Sequence, residues 1–148
     1  MNNINPQLTR RVRRPEHKPL LWPALAYTAG MTVHGIDHAM RGVHAEHDHA
    51  AWSGNVQIFM GALTLVVSGL MVVLVLVDYG HVHIAAMIIG FGSAALFLTV
   101  HLSPQWGAIT DSFLSASSGS HVTSFSWITA AIGIAAAVGL GVAGYRQR

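Results

Sequence analysis

The sequence predicts an all-α fold: a polytopic membrane protein whose four transmembrane helices form a bundle, with both termini in the cytoplasm. Three observations predict this class. Of the 148 residues, 52% are hydrophobic and only 9% are charged, which is outside the usual balance of a soluble domain. Four apolar runs are long enough to cross roughly 30 Å of hydrocarbon at about 1.5 Å per residue. Lys and Arg residues are concentrated at the two ends of the chain.

The first apolar run, residues 20–40, is the least uniform of the four, because His34, Asp37 and His38 lie near its end. Ionisable side chains are costly inside a bilayer, so we expect this part of the helix to face other helices, water or a ligand. Steps of three and four residues place a set of side chains on one helical face. These are Tyr27, Met31, His34, His38 and Arg41.

The other three runs are more uniformly apolar. Residues 56–77 contain no charged side chain and form the clearest span, and residues 82–102 and 122–145 form the third and fourth spans. Only residues 78–81 separate the second span from the third. Such a tight turn predicts that these two helices are antiparallel neighbours.

Small residues in the third and fourth runs predict close helix packing. They recur every four residues, a spacing that lets membrane helices approach closely. They are Gly90 and Ala94 in the third run, and Gly133, Ala137 and Gly141 in the fourth. The pattern predicts packing within one chain or, as an alternative, against a second subunit.

The basic residues predict the orientation. Seven of the eight Lys and Arg residues lie in segments 1–19 and 146–148, outside the four runs. The positive-inside rule places both segments in the cytoplasm, with residues 20–145 as the transmembrane domain in the plasma membrane. The sequence pI of 9.5 therefore indicates topology and attraction to anionic lipid, and no nucleic-acid partner is predicted.

Histidines predict a transition-metal site at the extracytoplasmic end of the bundle. His34 and His38 lie one turn apart, so both imidazoles can bind one ion, and His101 ends the third run on the same side. Asp37 is either a further ligand or a residue that orients one of the rings. Imidazole and carboxylate together favour copper or zinc over magnesium or calcium. The chain has no cysteine, which excludes thiolate sites, iron–sulfur clusters and covalently attached haem.

The loop after the first run, residues 41–55, offers further ligands, His44, His47 and His49. Short histidine-rich tracts bind such metals loosely, so this tract is predicted to collect ions at the surface, and the alternative is that these residues are merely solvated. The second outer loop, residues 103–121, contributes Asp111 and His121.

Two alternatives to a metal site remain open. His34, Asp37 and His38 are also suited to a buried hydrogen-bonded cluster that fixes helix register, with Arg41 as the counter-ion of Asp37 one turn later. A single haem between the first and third runs, or a quinone pocket, is less favoured than either the metal site or the hydrogen-bonded cluster. A carrier with two haems is disfavoured, because the cytoplasmic end offers no second pair of histidines on facing helices.

The sequence contains no recognisable catalytic motif. Glu16 and Glu46 are the only glutamates, and neither lies in a span, so carboxylate-bridged di-iron chemistry is excluded. Two function classes remain. The favoured one is an accessory subunit of a larger membrane complex that carries the copper or zinc site. The alternative is a stand-alone protein that binds or handles the metal. The expected partners are the lipid bilayer and either other membrane subunits or a second copy of the chain.

The last third of the chain carries a pattern of aromatic and polar residues between the third and fourth runs. Its members are His101, Pro104, Trp106, Asp111, Ser112, Phe113, Thr123, Phe125, Ser126 and Trp127. This pattern resembles that of small four-helix integral membrane proteins of unassigned function. The resemblance implies a fold class and no functional residue. It also implies that His101, Trp106 and Asp111 belong to one structural unit at the outer surface.

Overall fold

The computed structural model describes residues 18–45, 54–104, 111–114 and 121–148. These ranges are all-α. A short 3-10 helix precedes four α-helices, which we number in chain order. The helices are α1 (Leu21–Ala45), α2 (Gly54–Leu76), α3 (Val82–His101) and α4 (Ser124–Tyr145). Their bounds agree with the predicted runs except at the end of α1, which continues past residue 40 and takes in His44, a residue predicted to lie in a loop.

Three of the described helices are long and apolar enough to cross a membrane. The apolar window of α2, Phe59–Leu76, has a mean hydropathy of 2.6, and α3 and α4 each reach 1.9. Helix α1 is not among the three, since His34, Asp37, His38 and Arg41 lower its mean hydropathy. Its 25 residues nevertheless give it a length of about 37 Å, which exceeds the thickness of the hydrocarbon layer.

All four helices run between the same two ends of the molecule. At one end, residues 77–81 form the predicted tight turn, where the Tyr79 amide donates to the Leu74 carbonyl at 3.0 Å. At this end Gly144 of α4 also packs against the backbone of His83 in α3. At the opposite end, His34 of α1 meets Thr129 of α4 and the last residue of α3. We call this second end the histidine end.

Helices α3 and α4 form the most extensive interface among the described elements. Gly90 lies so close to α4 that a Cβ atom placed on it would be 2.6 Å from the Ala137 carbonyl oxygen. Gly90, Ala94, Gly133, Ala137 and Gly141 are all buried. The predicted close packing of small residues is therefore confirmed, and it occurs within the chain.

Helix α1 packs across α4 and α2 with the predicted face turned inward. Tyr27 and Met31 are almost completely buried, and the Tyr27 hydroxyl hydrogen-bonds Ser93 of α3 at 2.7 Å. Helices α2 and α3 are joined by the tight turn but contact each other little. Because α2 packs mainly on α1, a gap opens between α2 and α3 toward the histidine end.

Candidate metal centre

Three imidazoles from two helices converge at the histidine end. The Nε2 atom of His34 lies 3.0 Å from Nε2 of His38 and 3.1 Å from Nε2 of His101. Each of the three residues offers one nitrogen, and these nitrogens all lie within 4.8 Å of one another. Two nitrogens bound tetrahedrally to one zinc ion lie about 3.3 Å apart. The three residues could therefore hold one shared ion.

Helix geometry and aromatic packing set the positions of these rings. His34 and His38 are neighbours on α1 because they are four residues apart, and His101 comes from the end of α3. Phe97, one turn before His101, packs against His34 with ring centroids 4.6 Å apart, and Phe113 packs against His101 at the same distance. His34 and His101 are buried, whereas His38 is partly exposed.

The hydrogen-bond partners of the Nδ1 atoms of His34 and His101 indicate which nitrogen of each ring carries the hydrogen. His101 Nδ1 lies 3.0 Å from the carbonyl oxygen of Asp111, which can only accept, so this nitrogen donates. His34 Nδ1 lies 3.3 Å from the hydroxyl oxygen of Thr129. Because that hydroxyl donates its own hydrogen to the Ser126 carbonyl at 3.0 Å, it accepts from His34. Both rings therefore carry their hydrogen on Nδ1 and keep a lone pair on Nε2.

Two lone pairs that face each other at 3.1 Å repel unless a cation lies between them. His38 satisfies only one of the two nitrogens, because it can donate from Nε2 to His34 at 3.0 Å. The remaining lone pair of His101 points into the same cluster. Either an additional proton or a metal ion resolves this arrangement, and a metal ion takes up both lone pairs at once.

His38 is the adjustable member of the cluster. Its Nδ1 lies 3.2 Å from Nη2 of Arg41, a group that only donates, and 3.7 Å from a carboxylate oxygen of Asp111. With Arg41 as the donor, Nε2 of His38 carries the hydrogen. To bind a metal through Nε2, His38 moves this hydrogen to Nδ1, where Asp111 is the neighbouring acceptor.

A buried ion network surrounds the imidazoles on the side away from α2. Arg41 donates from Nε to Asp37 at 2.9 Å, and from Nη1 and Nη2 to the two oxygens of Asp111 at 3.0 and 2.5 Å. The second oxygen of Asp37 accepts from the Ser126 hydroxyl of α4 at 2.7 Å. The network thus fixes α1, α4 and residues 111–114 against one another. The predicted pairing of Arg41 with Asp37 is confirmed.

The network also gives the site a negative charge. Burial by itself raises the pKa of the Asp111 carboxyl, but the hydrogen bonds and charge of Arg41 outweigh burial and hold that pKa below its ordinary value. Asp111 is therefore ionised at neutral pH. Asp37 and Asp111 together carry one negative charge more than Arg41 neutralises, and this charge lies beside three neutral imidazoles. Such a field favours a cation.

The predicted ligands differ in where they lie. His34, His38 and His101 are brought together, and Asp37 lies behind them with its oxygens bound to Arg41 and Ser126. The side chain of His44 and the whole of His47 and His49 lie outside the described residues. The predicted unit that includes His101 and Asp111 is present, although Trp106 also lies outside the described residues.

Sequence reasoning missed the residues that hold the imidazoles from behind. Thr129 and Ser126 come from the fourth run, which was treated only as a packing helix. A signal was present, because these two hydroxyl residues are three apart in a largely apolar helix and so lie on one face. The bidentate pairing of Arg41 with Asp111 joins residues that are 70 positions apart, and no sequence pattern indicates it.

Comparisons of the chain with protein-family models, curated proteins and solved structures found no match. The chemistry of the histidine cluster is therefore the basis for a function.

Proposed function

We propose that this chain is an integral membrane protein that binds one copper or zinc ion through His34, His38 and His101. The observation that carries the proposal is the close approach of two imidazole nitrogens whose hydrogens are fixed on the far side of each ring. The excess negative charge of the ion network favours a cation at the same point. Three imidazoles without a thiolate suit either metal.

The membrane part of the proposal has separate support. Helices α2, α3 and α4 are apolar enough to span a bilayer, and α1 lies antiparallel along α4 from Gly30 to Asp37. We propose that α1 is the fourth span, that both tails are cytoplasmic, and that the metal site lies at the extracytoplasmic face of the plasma membrane. The polar face of α1 is compatible with this, because it is turned into the bundle and away from lipid.

Metal analysis of the purified chain tests the proposal. Protein stripped of metal in detergent is titrated with Zn²⁺, and bound zinc is measured after gel filtration. Zinc is used because it is not redox-active. We expect one ion per chain, with loss of high-affinity binding in His34→Ala and His101→Ala. His81→Ala, an exposed histidine at the opposite end, serves as the control and should bind like the unmodified chain. Unchanged binding in the two cluster variants would remove the proposal.

The haem alternative is tested on the same sample. A bis-histidine haem between α1 and α3 would give a strong Soret absorption in protein purified without metal stripping. We expect no such band, because the nitrogens of His34 and His101 are 3.1 Å apart and leave no room for a porphyrin between them.

An accessory role in a larger complex is the second part of the proposal. The outward face of α2 is strongly apolar, which supports contact with lipid or with another membrane subunit. Its exposed side chains include Phe59, Leu63, Val66, Leu70 and Val73. Extraction in a mild detergent followed by mass spectrometry of co-migrating chains tests this role. A chain that migrates alone supports the stand-alone alternative instead.

A further inference from the structure

A cavity of about 560 Å³ opens beside the histidine cluster. It lies between α1, α2 and α3, in the gap left where α2 diverges from α3. Most of its wall is apolar, with Met31, Leu65, Phe97 and Val100 among the lining residues. Its volume is within the range of about 300–1,000 Å³ that is typical of small-molecule sites.

His34, His38 and His101 are all among the residues that line this cavity. A zinc ion with three protein ligands keeps a fourth position for a water molecule or a substrate. Among the residues that the structure describes, the nearest carboxylates do not supply that position, because Asp37 is bound by Arg41 and Ser126 and Asp111 is bound by Arg41. The fourth position of an ion at the cluster is therefore reached from the cavity.

Charge selects the kind of group that fits there. The ion network of Asp37, Asp111 and Arg41 carries one net negative charge, and the imidazoles are neutral donors. A divalent ion at the cluster leaves one positive charge in a low-dielectric setting. A ligand with a single negative charge on oxygen neutralises it, whereas an alcohol or an uncharged quinone does not.

We propose that the cavity binds a long-chain carboxylic acid, with its carboxylate as the fourth ligand of the zinc ion and its hydrocarbon tail against the apolar wall. This inference rests on the zinc site proposed above. The two parts of the ligand match the two parts of the cavity. The apolar tail matches the side chains of α1, α2 and α3, and the charged oxygen matches the metal end.

Two glycines allow the cavity to be filled without touching the metal site. Gly35 and Gly61 both line it, and a Cβ atom on either would have no neighbour within 4 Å. Gly61→Leu and Gly35→Leu therefore add volume with little strain in the free protein. Gly69→Leu is the matched control, because Gly69 lies on α2, has the same open surroundings and is not among the residues that line the cavity.

The experiment measures binding of radiolabelled palmitate to the full chain in detergent, with and without one equivalent of Zn²⁺. We expect saturable palmitate binding that requires zinc. Hexadecanol and acetate should compete poorly with palmitate. Palmitate binding should weaken about tenfold or more in Gly61→Leu and Gly35→Leu. Gly69→Leu should bind palmitate like the unmodified chain. Cobalt substitution gives a second readout, because a new oxygen ligand changes the visible absorption of Co²⁺.

The outcomes separate this inference from the proposed function. If zinc binds and palmitate does not, the metal site stands and the carboxylate inference is wrong. Equal palmitate binding without zinc, equal competition by hexadecanol, or unchanged binding in both filled variants also overturns it. If the chain binds no zinc at the cluster, this inference fails, and the proposed function fails as well when copper does not bind there either.

Discussion

Thr129 illustrates how one hydroxyl can determine where an imidazole carries its hydrogen. Its oxygen accepts from His34 Nδ1 at 3.3 Å and so keeps the lone pair on Nε2, which faces the other imidazoles. We predict that Thr129→Val weakens zinc binding about 10–100-fold while leaving the fold intact, because valine keeps the shape and loses the acceptor. Competition with a chromophoric zinc chelator measures the change.

The control for this variant is Thr99→Val. Thr99 lies on α3 near the same end and is exposed, and its hydroxyl donates to the Ala95 carbonyl of its own helix. It should bind zinc like the unmodified chain. Equal zinc affinity for Thr129→Val and Thr99→Val would show that the hydrogen position on His34 is not set by Thr129.

Arg41 is the residue on which the buried charges depend. Without it, two carboxylates lie close together in the interior with no cation between them. We predict that Arg41→Met lowers the free energy of unfolding in detergent by about 3–5 kcal/mol, and that adding Asp37→Asn and Asp111→Asn recovers part of the loss. Reversible unfolding by denaturing detergent, followed by circular dichroism, measures both.

Arg146→Met removes a guanidinium of the same size from the exposed end of α4 and should change stability by less than about 0.5 kcal/mol. A similar effect of the two Arg→Met changes would mean that the network contributes no more than an exposed charge does.

Among the helices, the α3–α4 pair depends most on small side chains. Gly90 lies directly on the backbone of Ala137 and Gly141, so a methyl group has no space there. We predict that Gly90→Ala destabilises the protein by about 1–3 kcal/mol through overpacking. Gly92→Ala, on the open side of the same helix, should be neutral or stabilising by up to about 1 kcal/mol, because alanine is the better helix former.

Thermal unfolding of the two glycine variants in one detergent distinguishes these cases. If Gly90→Ala and Gly92→Ala melt at the same temperature, the contact between α3 and α4 is looser than the structure indicates.

Helix positions could be predicted because each apolar run has a physical minimum length, and the bounds of α2, α3 and α4 follow the runs closely. The end of α1 could not be predicted, because no proline or capping residue marks residue 40. Arg41 also pairs with Asp37, one turn earlier in the same helix. His34 and His38 could be predicted to lie together because helical spacing is a local property, and His101 because the third run ends on the same side. Their supports, Thr129 and Asp111, are distant in sequence, and only packing brings them together.

The whole molecule separates polar from apolar surface in a way that suits a bilayer. The buried ionic and imidazole side chains, His34, Asp37, Arg41, His101 and Asp111, lie together at one end, while large apolar side chains cover the outside of α2. A soluble bundle would show the reverse arrangement. The side chains of α1 that are least compatible with lipid lie on its inner face, and they lower the mean hydropathy of this helix.

The number of crossings determines whether the two termini lie on the same side of the membrane, and cysteine labelling can count the crossings. The sequence has no cysteine, so single substitutions can be read without background. Tyr79→Cys lies in the turn between α2 and α3, Gln147→Cys follows α4, and Leu114→Cys is exposed at the histidine end. A membrane-impermeant maleimide applied to intact cells should label Leu114→Cys only, and the other two should react after lysis.

Asn2→Cys then decides whether α1 crosses. If α1 is the fourth span, the amino-terminal tail is cytoplasmic and Asn2→Cys is protected in intact cells, as is Gln147→Cys. If only α2, α3 and α4 cross, the two tails lie on opposite sides and Asn2→Cys is labelled together with Leu114→Cys. In that case the polar face of α1 lies outside the bilayer, and the histidine cluster is a surface site instead of one at the mouth of a four-helix bundle.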